Sequence, residues 1–169
     1  MKSKIHNAVH VRKSPIAGRG IFANRDFKKG DFVLEIRGEI VDKIYKTASD
    51  LKIGKTWISV GLHKWIIPES PVKYMNHSCD ANLGFKTHTR LYARKGIKED
   101  EELTIDYSTV EYVDFWKLPC SCGSSKCRGE MTSIQFLHKK VFYGYLPYIP
   151  RFFQKVYIDY NNVHGKKIK

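Results

Sequence analysis

Short runs of alternating apolar and polar residues fill most of the chain, with turn residues between them. Ala8-Val-His-Val-Arg12 alternates as an edge strand does. Pro15, Gly18 and Gly20 then break regular structure, which predicts a loop re-entering a strand at Ile21. Phe32 to Val41 reads as one long strand, with Gly38 as a bulge or a point of close approach. Residues 42–55 are polar and carry no clear period. Thr56–Val60 and Lys64–Ile67 predict two short strands around a turn at Gly61. Leu83–His88 and Arg90–Arg94 predict a strand pair, and Leu103–Tyr107 a further strand after the turn at Gly96–Glu102. This is the pattern of a mostly β domain.

After Gly129 the period changes. Ile134, Leu137, Val141 and Tyr145 fall at helical spacing, as do Phe152, Phe153, Val156, Tyr157 and Tyr160. Pro150 suits the first turn of the second helix. An aromatic stripe at that spacing is core packing before it is anything else, so these helices are expected to cap the β domain. The last residues, His164 to Lys169, are expected to fray.

A length of 169 residues fits one domain, and 42% hydrophobic content supplies a real core. No apolar run approaches the roughly 20 residues of a spanning helix. The N-terminal Met1–Asn7 is charged without an apolar stretch behind it, so no secretory signal is expected. The expected setting is therefore intracellular: cytoplasmic in a prokaryote, nuclear in a eukaryotic or viral context. The net charge of +13 attracts polyanions at long range. Residues 131–169 hold seven Lys or Arg against one Asp, a net +6. No basic run is long and unbroken, which favours a solvated basic surface over a nucleic-acid site, with weak nucleic-acid or chromatin proximity as the most it implies.

The chemistry-bearing residues concentrate in three places. Lys73-Tyr-Met-Asn-His-Ser-Cys-Asp-Ala-Asn82 holds amides, an imidazole, a thiol and a carboxylate together. Glu101-Glu-Leu-Thr-Ile-Asp-Tyr107 ends a strand on a phenol. Pro119-Cys-Ser-Cys-Gly-Ser-Ser-Lys-Cys-Arg-Gly129 carries three of the four cysteines. Intracellular thiols stay reduced, and cysteines this closely spaced favour a metal over disulfides. Tetrahedral zinc takes four ligands. Cys120, Cys122 and Cys127 supply three; Cys79 is the remaining thiol and His77 the competing donor. Four thiolates leave no position for water, so such a site is structural. Alone, Tyr107 reads as a half-buried aromatic and His77 as a hydrogen-bonded core histidine.

In chain order these motifs, with Lys13–Phe22 and Lys29–Glu39 before them, resemble a SET-domain protein lysine methyltransferase with a post-SET zinc segment, of the minimal stand-alone type. The resemblance spans residues 9–129. It implies a β-clip SET fold of several small sheets with a pseudoknot, and C-terminal helices packed on it. It divides the chain into a SET domain at 8–108, a post-SET segment at 116–130 and a basic, aromatic-rich extension at 131–169. It implies methyl transfer from S-adenosylmethionine to the ε-amine of lysine in a protein substrate, a histone or another basic protein. Ile16, Ala17, Gly18, Arg19 and Gly20 would hold the cofactor with backbone groups. Tyr74, Asn76, His77 and Ser121 would surround its adenine, and Tyr107 would stand at the transfer point. Cys79, Cys120, Cys122 and Cys127 match the family's ligands for one structural zinc.

Two positions depart from the family pattern. Trp57 is the nearest aromatic where a channel Tyr is usual, and Ile105 replaces a Phe or Tyr that limits the number of methyl groups. The smaller Ile105 favours di- or trimethyl product. The alternative readings are a catalytically weak SET-like module that binds S-adenosylmethionine or a peptide, and a zinc-stapled nucleic-acid-binding protein.

Overall fold

The computed structural model of the chain describes residues 8–47, 49 and 57–165. Met1–Asn7, Thr56 with most of the polar stretch before it, and the tail after Gly165 lie outside the described residues.

Three small sheets and a hairpin make the β part. In the first sheet, β1 (Val9–Lys13) pairs antiparallel with β2 (Arg19–Ala23). The second edge of β2 takes β10 (Glu102–Ile105), and β10 takes the two-residue β7 (Asn76–His77) in parallel. Strands from both ends of the fold thus meet on the central stretch. The second sheet runs β3 (Phe32–Glu35), β9 (Arg90–Ala93), β8 (Leu83–Phe85), so the expected pairing of the last two stands. The third runs β4 (Gly38–Asp42), β6 (Lys64–Pro68), β5 (Ile58–Gly61). The turn between β5 and β6 lies at Leu62-His63, one step beyond Gly61, and His63 carries its positive φ of 56°.

The single strand expected over residues 32–41 is two strands in two sheets. The alternation runs unbroken through the junction, but the pairing partner changes from β9 to β6. Ile36 is buried and gives its N–H to the Thr89 carbonyl at 2.8 Å, after which the chain leaves the second sheet. Gly38 is the predicted point of close approach: a Cβ there would run into the Ile67 carbonyl across the pair.

The hairpin of β11 (Lys117–Pro119) and β12 (Glu130–Thr132) frames the cysteine loop. The helical period from Ile134 resolves into a 3-10 turn at Ile134–Phe136, then α1 (Lys139–Tyr145) and α2 (Arg151–His164). Helix α1 starts late because His138 is extended and its Nδ1 accepts the Lys140 N–H, capping the helix at that point. Pro150 sits immediately before α2. The helices share one core with the strands. Phe142 and Tyr157 stack at 3.7 Å between centroids, and Phe153 and Ile149 are buried with Leu83, Phe85 and Leu103. The Tyr148 carbonyl extends the β8 edge by accepting the Phe85 N–H at 3.0 Å. Among the described residues no helix is long and apolar enough to cross a membrane.

Candidate active site

The site forms where β7 lies beside β10. Asn82 fixes that junction from within: its amide donates to the Glu102 carbonyl at 2.8 Å and its oxygen accepts the Thr104 N–H at 2.9 Å. Directly after β10, Asp106 caps a 3-10 turn, Tyr107–Thr109, by accepting the Ser108 N–H. The cap holds Tyr107 at the strand end. Its phenol donates to the Met75 carbonyl at 2.5 Å and its backbone N–H donates to His77 Nδ1 at 3.2 Å. Burial pushes the Tyr107 phenol up to about 12, so it stays protonated near neutral pH.

His77 is buried, and that burial lowers it to about 4 against the opposing pull of Asp106. The ring is neutral, and Nδ1 is used as an acceptor. The proton therefore sits on Nε2, which faces Cys79 Sγ at 3.3 Å.

On the other side of β7 lies the loop after β1. Ser14 Oγ accepts the N–H groups of Ile16 and Ala17, at 2.9 and 3.3 Å, and donates to the Glu102 carboxylate at 2.8 Å. The Asn76 amide nitrogen lies 3.2 Å from the Ala17 carbonyl, 3.1 Å from that of Arg19 and 2.8 Å from Glu102 Oε1. These ties curl residues 14–20 into a loop over β7, with Gly18 in a left-handed turn at φ 49° and open space around it. A Cβ at Gly20 would meet the Glu102 carboxylate, which would have to give up its present position against Ser14 and Asn76. The Arg19 guanidinium lies over the Tyr74 ring at 4.7 Å. The structure thus brings Ile16, Ala17, Gly18, Arg19, Gly20, Tyr74 and Asn76 together.

The cysteines converge from both sides of the sequence. Cys79 Sγ is 3.7 Å from Cys120 Sγ, and Cys120 Sγ is 3.7 Å from Cys127 Sγ. The ligand atoms of His77, Cys79, Cys120 and Cys122 all lie within 4.8 Å of one another. Burial pushes the Cys122 thiol up, but the N–H groups of Cys79 and Ser124 outweigh it and leave the thiol at about 7. Ser121 is exposed on this loop.

The two channel residues are placed differently. Ile105 is 1% exposed within the apolar core, and Trp57 is half-buried one residue before β5, outside the strand.

Sequence reasoning missed four side chains. Ser14 and Glu102 hold the loop, although Ser14 stands in a turn and Glu102 is one of two adjacent acids. Buried Asp106 pairs with half-buried Arg128: the two terminal guanidinium nitrogens each lie 2.8 Å from one carboxylate oxygen. Arg128 also donates to Ser108 Oγ at 3.2 Å, and its backbone N–H points at Cys79 Sγ. Only its place between Cys127 and Gly129 signals it.

Glu111 lies just past the Tyr107 turn, buried, with one carboxylate oxygen accepting the N–H groups of Tyr112 and Val113. Burial outweighs those bonds and raises it from 4.5 to about 7. The unfolded chain then loses this proton before the folded chain does as pH rises. Folded protein binds more protons between the two values, so stability falls with rising pH across that window, by at most about 3 kcal/mol. Glu111→Gln is expected to flatten this slope. Melting temperatures at pH 5 and pH 8 check it; an equal pH dependence in both proteins would rule it out.

Comparison with known proteins fits this geometry. The family model described as "SET domain" matches residues 18–108. Histone-lysine N-methyltransferase TRX1 of Oryza sativa subsp. japonica is 29% identical over 152 residues, 80% of this chain and 15% of that protein. Histone-lysine N-methyltransferase trithorax of Drosophila melanogaster is 31% identical over 144 residues, 76% of this chain and 4% of that protein. A solved humanized mutant of the Chaetomium thermophilum Polycomb Repressive Complex 2, bound to an inhibitor, superposes with a TM-score of 0.51 at 28% identity. It covers 62% of this chain and 15% of its own. The chain therefore spans only a small part of the length of these relatives. With the family model covering more than half of its residues, the chain belongs to the SET domain family.

Proposed function

We propose that the chain transfers methyl groups to the ε-amine of lysine in a protein substrate, a histone or another basic protein, with S-adenosylmethionine as donor. The observation that carries this reading is the Tyr107 phenol anchored on the Met75 carbonyl, next to the loop that Ser14, Asn76 and Glu102 hold in place. The relatives named histone-lysine N-methyltransferase support it.

The residues fit the donor. Two oxygens meet at Met75 and Tyr107, an electron-rich point suited to a cation-borne methyl group. The exposed loop around Gly18 offers backbone without a side chain in the way. When bound, S-adenosylmethionine supplies an activated methyl group on a positive sulfonium. Asn76, Ser14 and Glu102 keep the loop in the shape that would receive it. Tyr107 orients and does not abstract a proton, because its own proton is held well above neutral pH. The lysine must therefore arrive neutral, from a water pKa of about 10.4, and desolvation beside the buried Met75 and Ile105 favours that form. The remaining demand is alignment.

Tyr107→Phe is expected to retain donor binding and to cut kcat about a hundredfold, the scale of one orienting hydrogen bond. Steady-state kinetics with radiolabelled donor on purified histones measures this. An unchanged kcat would remove Tyr107 from the mechanism. We propose further that Ile105, lacking a hydroxyl, permits di- or trimethyl product, and that Ile105→Tyr shifts product toward monomethyl. Mass spectrometry at long reaction times decides; monomethyl alone from the natural protein would sink the idea.

We infer that one zinc is held by Cys79, Cys120, Cys122 and Cys127. Thiolates at the usual zinc–sulfur length of about 2.3 Å stand about 3.8 Å apart in a tetrahedron. The two sulfur–sulfur spacings of 3.7 Å match this. His77 is the rejected alternative, because its Nε2 carries the proton and supports Cys79 as a donor.

A further inference from the structure

We propose that a pocket on the face of the β11–β12 hairpin binds an arginine side chain of the protein substrate, flanking the methylated lysine. This rests on the reading of the chain as a protein lysine methyltransferase. The turn before β11 and the 3-10 turn after β12 leave aromatic side chains on the surface. Phe115 is 38% exposed and Phe136 44%, with Trp116 half-buried beside them. The same helical extension buries Phe142 and Phe153 almost completely, whereas Phe115 stays exposed and Phe136 meets only the Tyr160 ring among the described aromatic side chains, edge-on at 5.3 Å. Clustered exposed rings mark a binding surface. They line one open pocket of about 340 Å³ together with Asp114 and Glu130.

Ring faces and carboxylates together select a flat cation, and guanidinium is the side chain that both stacks on a ring and forks onto a carboxylate. The charges around the pocket leave room for one. Lys117 Nζ is already held by Glu130 Oε2 at 2.6 Å. Asp114 accepts the neutral Gln135 amide at 2.6 Å, and among the described residues it forms no ion pair. A net negative pocket on a chain of net charge +13 is a local reversal of sign, and it suits a basic substrate that the rest of the surface repels.

The position is also right. Thr132, a wall of the pocket, gives its N–H to Ser108 Oγ at 3.3 Å, and Ser108 follows Tyr107 directly. That bond ties the pocket wall to the turn that carries Tyr107.

The test uses synthetic peptides with one acceptor lysine and a single variable position, arginine against citrulline, which keeps the shape and removes the charge. Fluorescence anisotropy reads binding and labelled donor reads kcat/KM. In the natural protein one flanking position is expected to favour arginine about tenfold in both. The Asp114→Asn/Glu130→Gln variant, which keeps every ring and the core, should lose that preference while still methylating the citrulline peptide. Phe136→Ala should lose it too. No preference in the natural protein, or a preference that survives in the charge variant, overturns the pocket. Pocket-dependent arginine binding without any methylation supports the pocket and overturns the methyltransferase reading instead.

Discussion

Stripping the metal with a chelator, or replacing Cys122 with Ser, is expected to release one zinc per chain and to unfold residues 117–132 while the first sheet persists. Beyond the Arg128–Asp106 pair and the Thr132 bond to Ser108, which tie it to the first sheet's end, the segment has little structure of its own. The β11–β12 hairpin has three residues in each strand, and its cross-strand ion pair, Lys117 with Glu130, is largely exposed. An isolated two-stranded hairpin of this length is marginal in water. Zinc on a cysteine site supplies apparent binding energies of about 10–16 kcal/mol at pH 7, so the segment's folding is the metal's to give. The loss should reach the site, because Cys79 is the residue that His77 Nε2 faces, and His77 holds the Tyr107 backbone. Donor turnover should fall by more than about a hundredfold. Metal analysis together with hydrogen exchange checks both parts. Chelated protein whose residues 117–132 exchange as slowly as before would overturn the assignment, as would natural protein that purifies with less than about half an equivalent of zinc.

The parts of this site that were legible in the sequence are those set by local spacing. Cysteines at 120, 122 and 127 announce a metal loop because one short turn must present all three. The strand read from the alternation at residues 8–12 stands because it pairs with β2 along its length, and the aromatic period after Pro150 stands because Phe153 and Tyr157 face the core. What was illegible depends on partners distant in the chain. Alternation over residues 32–41 reports that both segments are half-buried strands, and is blind to the switch from one sheet to another at Ile36. Ser14 and Glu102 are 88 residues apart and neither belongs to a spacing pattern. The sequence leaves Cys79 and His77 as competing fourth donors, and what separates them is which ring nitrogen accepts the Tyr107 N–H, a contact across 30 residues. The segment from Ile134 shows the helical period but not its interruption, since histidine is not a favoured helix cap by type.

Arg128→Ala is expected to destabilise the fold by about 3–5 kcal/mol, the scale for removing one partner of a buried ion pair. The Asp106 side chain is 0% exposed and that of Arg128 21%, so water cannot readily replace the guanidinium. The carboxylate would keep its bond from the Ser108 N–H, and the nearest cationic replacement would be His77, whose Nδ1 is 3.6 Å away but already accepts from Tyr107. Protonating that ring would cost the Tyr107 contact. The charge left behind would therefore be paired badly or not at all. Arg128→Lys should recover only part of the loss, because a single ammonium cannot span both carboxylate oxygens and Ser108 Oγ as the guanidinium does. Asp106→Asn combined with Arg128→Ala should cost less than the sum of the two single changes, since the double variant leaves no unpaired charge. Urea unfolding at neutral pH measures the natural protein and the four variants. A loss below about 1 kcal/mol for Arg128→Ala would mean that solvent reaches Asp106 after all. An additive double variant would mean that the two side chains contribute separately and that the turn under Tyr107 is held by its cap alone.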